Sequence, residues 1–169
     1  DIVLVYRYSK RYEESAKTRM SLERAIPVNL VVEPQKNDIV KSSNVFVSSI
    51  QKVIWFLSVW FVKYYSIYRN TITLTRLFKQ EKPDILHINN GGFPAATSCY
   101  SALKAAKKCS IKNVVYVVNN MAQGYGYPLR WFDRELDRMA RCLVNVFVTG
   151  SNNAGKQLQN VLGLSDSQR

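Results

Sequence analysis

The chain has 169 residues, 47% hydrophobic and 21% charged, which excludes a disordered tail and allows one domain with a real core. Its 24 Lys and Arg stand against 12 Asp and Glu, and the formal net charge of +12 favours anionic partners: nucleic acid, acidic lipid headgroups or phosphorylated substrates. No run reaches the roughly 18–20 apolar residues that a membrane-spanning helix needs, and a lone histidine, His87, excludes a multi-His metal site.

The first β-rich run is Ile2–Tyr6, with no basic leader or cleavage site before it, so no secretory signal is expected and a cytoplasmic location is. The loop that follows, Tyr8–Glu13, carries Lys10 and Arg11, which are candidates to meet a diphosphate. Glu14–Ala25 reads as a charged, solvent-facing helix, and Val28–Val32 as a second strand.

Ser49–Gln80 is long, apolar and aromatic, and as a helix it is greasy on nearly every side. It is expected either as a central helix or helix pair packed on the sheet, or as a surface that dips into lipid headgroups. Residues 49–68 carry the Trp, Tyr and flanking Lys that suit an anionic membrane surface.

Asp84–Ile88 is a third strand, introduced by Pro83 and ended by Asn89-Asn90-Gly91-Gly92. The glycine pair permits a tight turn and close approach of backbone to a ligand. Pro94 is expected to open a helix that runs to Lys108, its amino end turned toward the same spot. The pair does not extend to GxGxxG, and Gly150–Lys156 falls short of a P-loop because Gln157 follows the lysine.

Asn113–Val118 and Val144–Val148 read as two further strands, joined by the loop Asn119–Pro128 and a helix over Leu129–Cys142. Amides and tyrosines in that loop, among them Asn119, Asn120 and Tyr125, are the side chains expected around carbohydrate. Arg130 is a third candidate for a diphosphate, otherwise a solvated surface charge. Ser151 caps a final helix, Ala154–Leu162, which Gly163 ends. Cys99 and Cys142 sit among apolar residues and are expected as buried thiols; with Cys109 the odd count fits a reducing compartment.

The alternation of elements predicts one α/β domain over 1–169: a Rossmann-like, doubly wound parallel β-sheet with helices on both faces, in three α/β/α layers. Ligands of such sheets bind at the carboxyl ends of the strands.

Lys82–Pro94 resembles the strand-and-loop of retaining GT-B glycosyltransferases of family 4 type. Val114–Asn120 resembles the next strand of that family, and Arg134–Leu158 its strand–Ser–helix that closes the amino-terminal domain. These stretches cover roughly residues 80–162, about half the chain, in the family's order. Leu22–Val32 resembles the approach to the family's third strand. Ile2–Tyr6 then corresponds to its second, and a central strand is not among these residues.

The resemblance implies an acceptor-binding half of a hexosyltransferase-type enzyme of cell-surface glycan biosynthesis. A carboxyl-terminal half would hold the nucleotide-sugar donor and lies outside these residues. It implies no metal or other cofactor, a saccharide or lipid-linked acceptor, a peripheral place at the inner face of the membrane, and no transfer by this half alone. Where the family places histidines after two strands, this chain has Asn89-Asn90 and Asn119-Asn120, which hydrogen-bond but take no proton. The acceptor-binding candidates are therefore His87, Asn89, Asn90, Gly91, Gly92, Asn119, Asn120, Tyr125 and Ser151. The competing expectation is a non-enzymatic Rossmann-like module for nucleotide or nucleic acid. The charge supports it; the want of basic–aromatic interleaving on a sheet face does not.

Overall fold

The computed structural model describes residues 2–10, 13–14, 24–31, 45–126 and 130–168; of residues 45–59 only the backbone is considered. Strands β1 (Val3–Arg7) and β2 (Arg24–Val28) precede helix α1 (Val45–Glu81), strand β3 (Ile85–Asn90) and helix α2 (Thr97–Lys108). Strand β4 (Asn113–Val118), a 3-10 turn (Arg130–Asp133), helix α3 (Arg134–Leu143), strand β5 (Val146–Thr149) and helix α4 (Asn152–Leu162) follow. Among the described residues every strand pairing is parallel, as expected of an α/β chain whose strands alternate with helices.

The strands form two small sheets, β1-β2 and β3-β4-β5, an arrangement compatible with a Rossmann-like three-layer α/β/α fold. One face of the larger sheet is built from Ile88, Tyr116 and Phe147, which are partners in register. It is buried with Leu103 of α2, Leu136 and Ala140 of α3, and Leu158 and Leu162 of α4 in one cluster. Truncating Leu103 or Leu158 to Ala in such a core costs about 2–5 kcal/mol. The opposite face is open: Ile85 is 61% exposed, and His87, Asn89, Val146 and Val148 are exposed beside it.

Helix α1 is one continuous helix of 37 residues, not a pair, because neither Gly nor Pro interrupts it. It ends where Lys82 turns left-handed, at φ 46, and Pro83 forbids continuation. Its described part is not greasy all round. Ile67, Asn70, Thr71, Leu74 and Phe78 form a buried stripe, while Phe61, Tyr65, Tyr68 and Arg76 are exposed. That stripe packs on α2, where the Ser101 hydroxyl donates to the Ile67 carbonyl, 3.3 Å away.

Two sequence expectations move. The second strand runs over Arg24–Val28 instead of Val28–Val32, so the helix expected over Glu14–Ala25 has given way to strand by Arg24; residues 15–23 of it lie outside the described residues. Beyond β2 the backbone of Val31 bonds twice to a side chain: its N–H donates to Asn70 Oδ1 (2.8 Å) and its carbonyl accepts from Asn70 Nδ2 (3.0 Å). The buried Asn70 amide thus satisfies both backbone groups of Val31.

The third helix expectation also shifts, from Pro94 to Thr97. Phe93 bridges to Ala122 and its carbonyl accepts from Gln123 N at 2.7 Å, which holds the chain extended past the strand end. Cys142 is exposed while Cys99 is buried, because Cys142 lies on the outer side of α3.

Candidate functional site

Asn90, Val118 and Thr149 are aligned in register across β3, β4 and β5, so the loops that follow all leave the sheet at one end. The two Asn-Asn turns meet there. Asn119 donates from Nδ2 to Asn89 Oδ1 (2.8 Å) and to the Asn90 carbonyl (2.9 Å), and its own N–H reaches that carbonyl at 3.2 Å. Asn90 turns inward and donates to the carbonyl of Gly92, whose Cα faces the Asn120 side chain. Asn89, Asn119, Asn120 and Gly91 remain exposed, and so offer amide donors and acceptors to a ligand.

Beneath Asn90 the Tyr116 hydroxyl is fully buried and faces Cys99 and Asn90; burial, above all, pushes its proton affinity up. The base of the site is thus buried and uncharged at Tyr116, and its exposed rim carries the polar groups.

Ser151 stands at the same end. Its Oγ accepts from Ala154 N at 3.2 Å and caps α4. With Thr149, Asn152, Gly155 and the edge of β5 it lines an open cleft of about 620 Å³. The cleft runs along β5, and none of the rim's Asn residues lines it.

A buried ionic cluster supports the loop between them. Arg130, 3% exposed, is not on the surface: its Nη2 lies 2.6 Å from Asp137 Oδ2, and its Nη1 3.5 Å from Asp133. Its Nε donates to the Gln123 carbonyl at 3.3 Å, and its guanidinium lies over the rings of Phe93 and Tyr125. Tyr100 and Tyr125 both donate to the Asp137 carboxylate, at 2.7 and 2.6 Å. Burial first, then the negative charge of Asp137, holds the Tyr100 proton more tightly than usual. Lys63 of α1 completes the cluster, 2.6 Å from Asp133.

Asp137, Asp133, Tyr100, Lys63 and Gln123 were not among the sequence candidates. The steps of three and four between Arg130, Asp133 and Asp137 signal a shared helix face, but nothing in the sequence signals their distant partners on α1 and α2. Arg130 and Tyr125 thereby have partners inside the protein. Their geometry is that of groups fixing the loop, with the Tyr125 hydroxyl committed to Asp137.

The other candidates are dispersed. His87 stands in the middle of β3 on the open sheet face, paired in register with Val115 and two residues before Asn89 on that same face, about 7 Å of strand from it. Lys10 is exposed beyond β1, in the smaller sheet, and Arg11 lies outside the described residues. Among the described residues no group of three or more His, Cys, Asp and Glu is placed to hold a metal ion, and no helix is long and apolar enough to cross a membrane. In comparison with known proteins, the chain matches no family model, no curated protein and no solved structure.

Proposed function

We propose that this domain is the acceptor-binding half of a glycosyltransferase of GT-B type, holding a saccharide or lipid-linked acceptor on the rim formed by Asn89, Gly91, Asn119 and Asn120, with Asn90 bracing the turn from inside. A second Rossmann-like half would bring the nucleotide-sugar. The observation that carries the reading is the convergence of the two Asn-Asn turns, joined by the 2.8 Å bond from Asn119 to Asn89. Sugar hydroxyls both donate and accept, and a rim of exposed carboxamides answers both needs without charge.

The parallel pairing of the described strands is compatible with such a half. Neither Asn turn supplies a proton acceptor, so the proposed role is orientation of the acceptor hydroxyl.

The test is equilibrium binding of neutral oligosaccharides, nucleotides and single-stranded oligonucleotides to the chain. The reading expects saturable oligosaccharide binding that Asn89→Ala with Asn119→Ala abolishes. Binding of oligonucleotides alone, weakening steeply with salt, would establish the non-enzymatic nucleic-acid module instead. Sugar transfer by the 169-residue chain on its own would contradict the division of labour between two halves.

A further inference from the structure

The described surface has one concentrated aromatic face. On α1, Trp60, Phe61, Tyr65 and Tyr68 follow one another at one-, four- and three-residue steps, and Phe61 is 72% exposed. Trp131, 59% exposed, and Phe132 protrude from the 3-10 turn, their rings 4.8 Å apart. The turn is fastened to the helix twice, by Lys63 to Asp133 (2.6 Å) and by the Tyr64 hydroxyl to the Phe132 carbonyl (3.4 Å). Six exposed rings therefore belong to two elements held as one surface. Such a concentration is far from the scattered single apolar residues of an ordinary surface.

We propose that this aromatic face seats the protein on an anionic bilayer. Three features select a bilayer over another protein. Helix α1 exposes Arg69, Arg76 and Lys79, while its one carboxylate, Glu81, is paired with Arg24, and the whole chain carries +12. Trp and Tyr, with apolar bodies and polar tips, suit the headgroup depth, and cations beside them meet acidic lipid. The same helix continues toward its amino end through the ten-residue run Val53–Val62, which is apolar but too short to span. A helix lying in the interface buries its apolar face some 5–10 Å deep, within reach of these rings.

The geometry also ties the face to the candidate site. Asp133, which holds Lys63, shares Arg130 with Asp137, and Arg130 supports the loop that carries Asn119 and Asn120. The proposal does not depend on the sugar reading, since vesicles carrying no glycan test it.

The experiment is co-sedimentation of the chain with phosphatidylglycerol–phosphatidylcholine vesicles and with pure phosphatidylcholine vesicles. Two double variants of unchanged charge, Trp131→Ser with Phe132→Ser and Phe61→Ser with Tyr68→Ser, are run beside it, each checked for an unchanged thermal melt. The expected result is recovery with the anionic vesicles and a blue shift of Trp fluorescence. Each folded variant should show a loss of partitioning of about tenfold. Failure to sediment with anionic vesicles, or variants that sediment like the parent, would overturn it, since the charge alone would then explain any binding. Sedimentation velocity covers the remaining case: self-association that the same variants abolish, with vesicle binding intact, would make this face a contact between copies.

Discussion

The side-chain amide of Asn119 donates to the side-chain oxygen of Asn89, 2.8 Å away, and so ties the loop after β4 to the end of β3. Both residues are exposed, so the bond organises the rim without closing it. Asn119→Ala removes this contact and the bond to the Asn90 carbonyl. Stability is expected to fall by about 1 kcal/mol, while oligosaccharide affinity falls by more than the stability loss alone explains. Urea denaturation and binding titration on the same variant separate the two effects.

Asp137 is the hub of the buried cluster, with Arg130, Tyr100 and Tyr125 all turned to one carboxylate. Asp137→Asn leaves a buried guanidinium without its nearest counter-charge, and a loss of about 3 kcal/mol is expected in chemical denaturation. Tyr125→Phe removes a single bond to the same group and is expected to cost about 1.5 kcal/mol.

The same cluster predicts an alkaline limit. Burial first, and then its bond to Asp137, pushes the Tyr125 hydroxyl up from 10.0 to about 12. The folded state therefore holds this proton more tightly than the unfolded chain does. The stabilisation is whole below pH 10.0 and is lost as pH rises through about 12. Tyr100 and Tyr116 are raised in the same direction by burial, so the parent chain weakens from the same pH upward. Urea midpoints at about pH 9 and about pH 11 are expected to fall less in Tyr125→Phe than in the parent.

Helix α4 is bounded by two local devices. Ser151 accepts from Ala154 N, and Gly163 takes the left-handed φ of 65. Ser151→Ala is expected to cost about 1 kcal/mol. Gly163→Ala is expected to cost a similar amount, about 1 kcal/mol, because an added Cβ meets both a disfavoured φ and the Arg141 guanidinium at 3.2 Å. Thermal melts of the two variants check both values.

The thiols should differ in reactivity. Cys142 is exposed, whereas Cys99 is buried and its thiol is pushed up by that burial. Maleimide labelling followed by mass spectrometry is expected to modify Cys142 first and Cys99 only on unfolding.

What the sequence made legible follows from how local each signal is. Asn113–Val118 is a run of β-formers bounded by polar residues, and it forms a strand with those bounds. The Ser151 cap and the Gly163 stop are read from single residues, and both hold. β2 was misplaced because its strand includes Pro27, opposite Tyr6, which propensity disfavours; pairing with β1 alone tolerates it. The two faces of α1 were hidden because its inner stripe contains Ser66, Asn70 and Thr71, polar residues that bury only by bonding to backbone or packing on α2. The Asn turns were legible as a rim because register follows from parallel pairing. The Arg130 cluster was not, since it joins α1, α2, the loop and α3 across the chain.

The most direct test of the account maps oligosaccharide-induced shifts of backbone amide resonances on the labelled chain. Perturbations concentrated at Asn89–Gly92, Asn119, Asn120 and Ser151 are predicted, with the smaller sheet unaffected. Shifts confined to the open sheet face around His87 and Val148, or none at these loops at saturating saccharide, would contradict it.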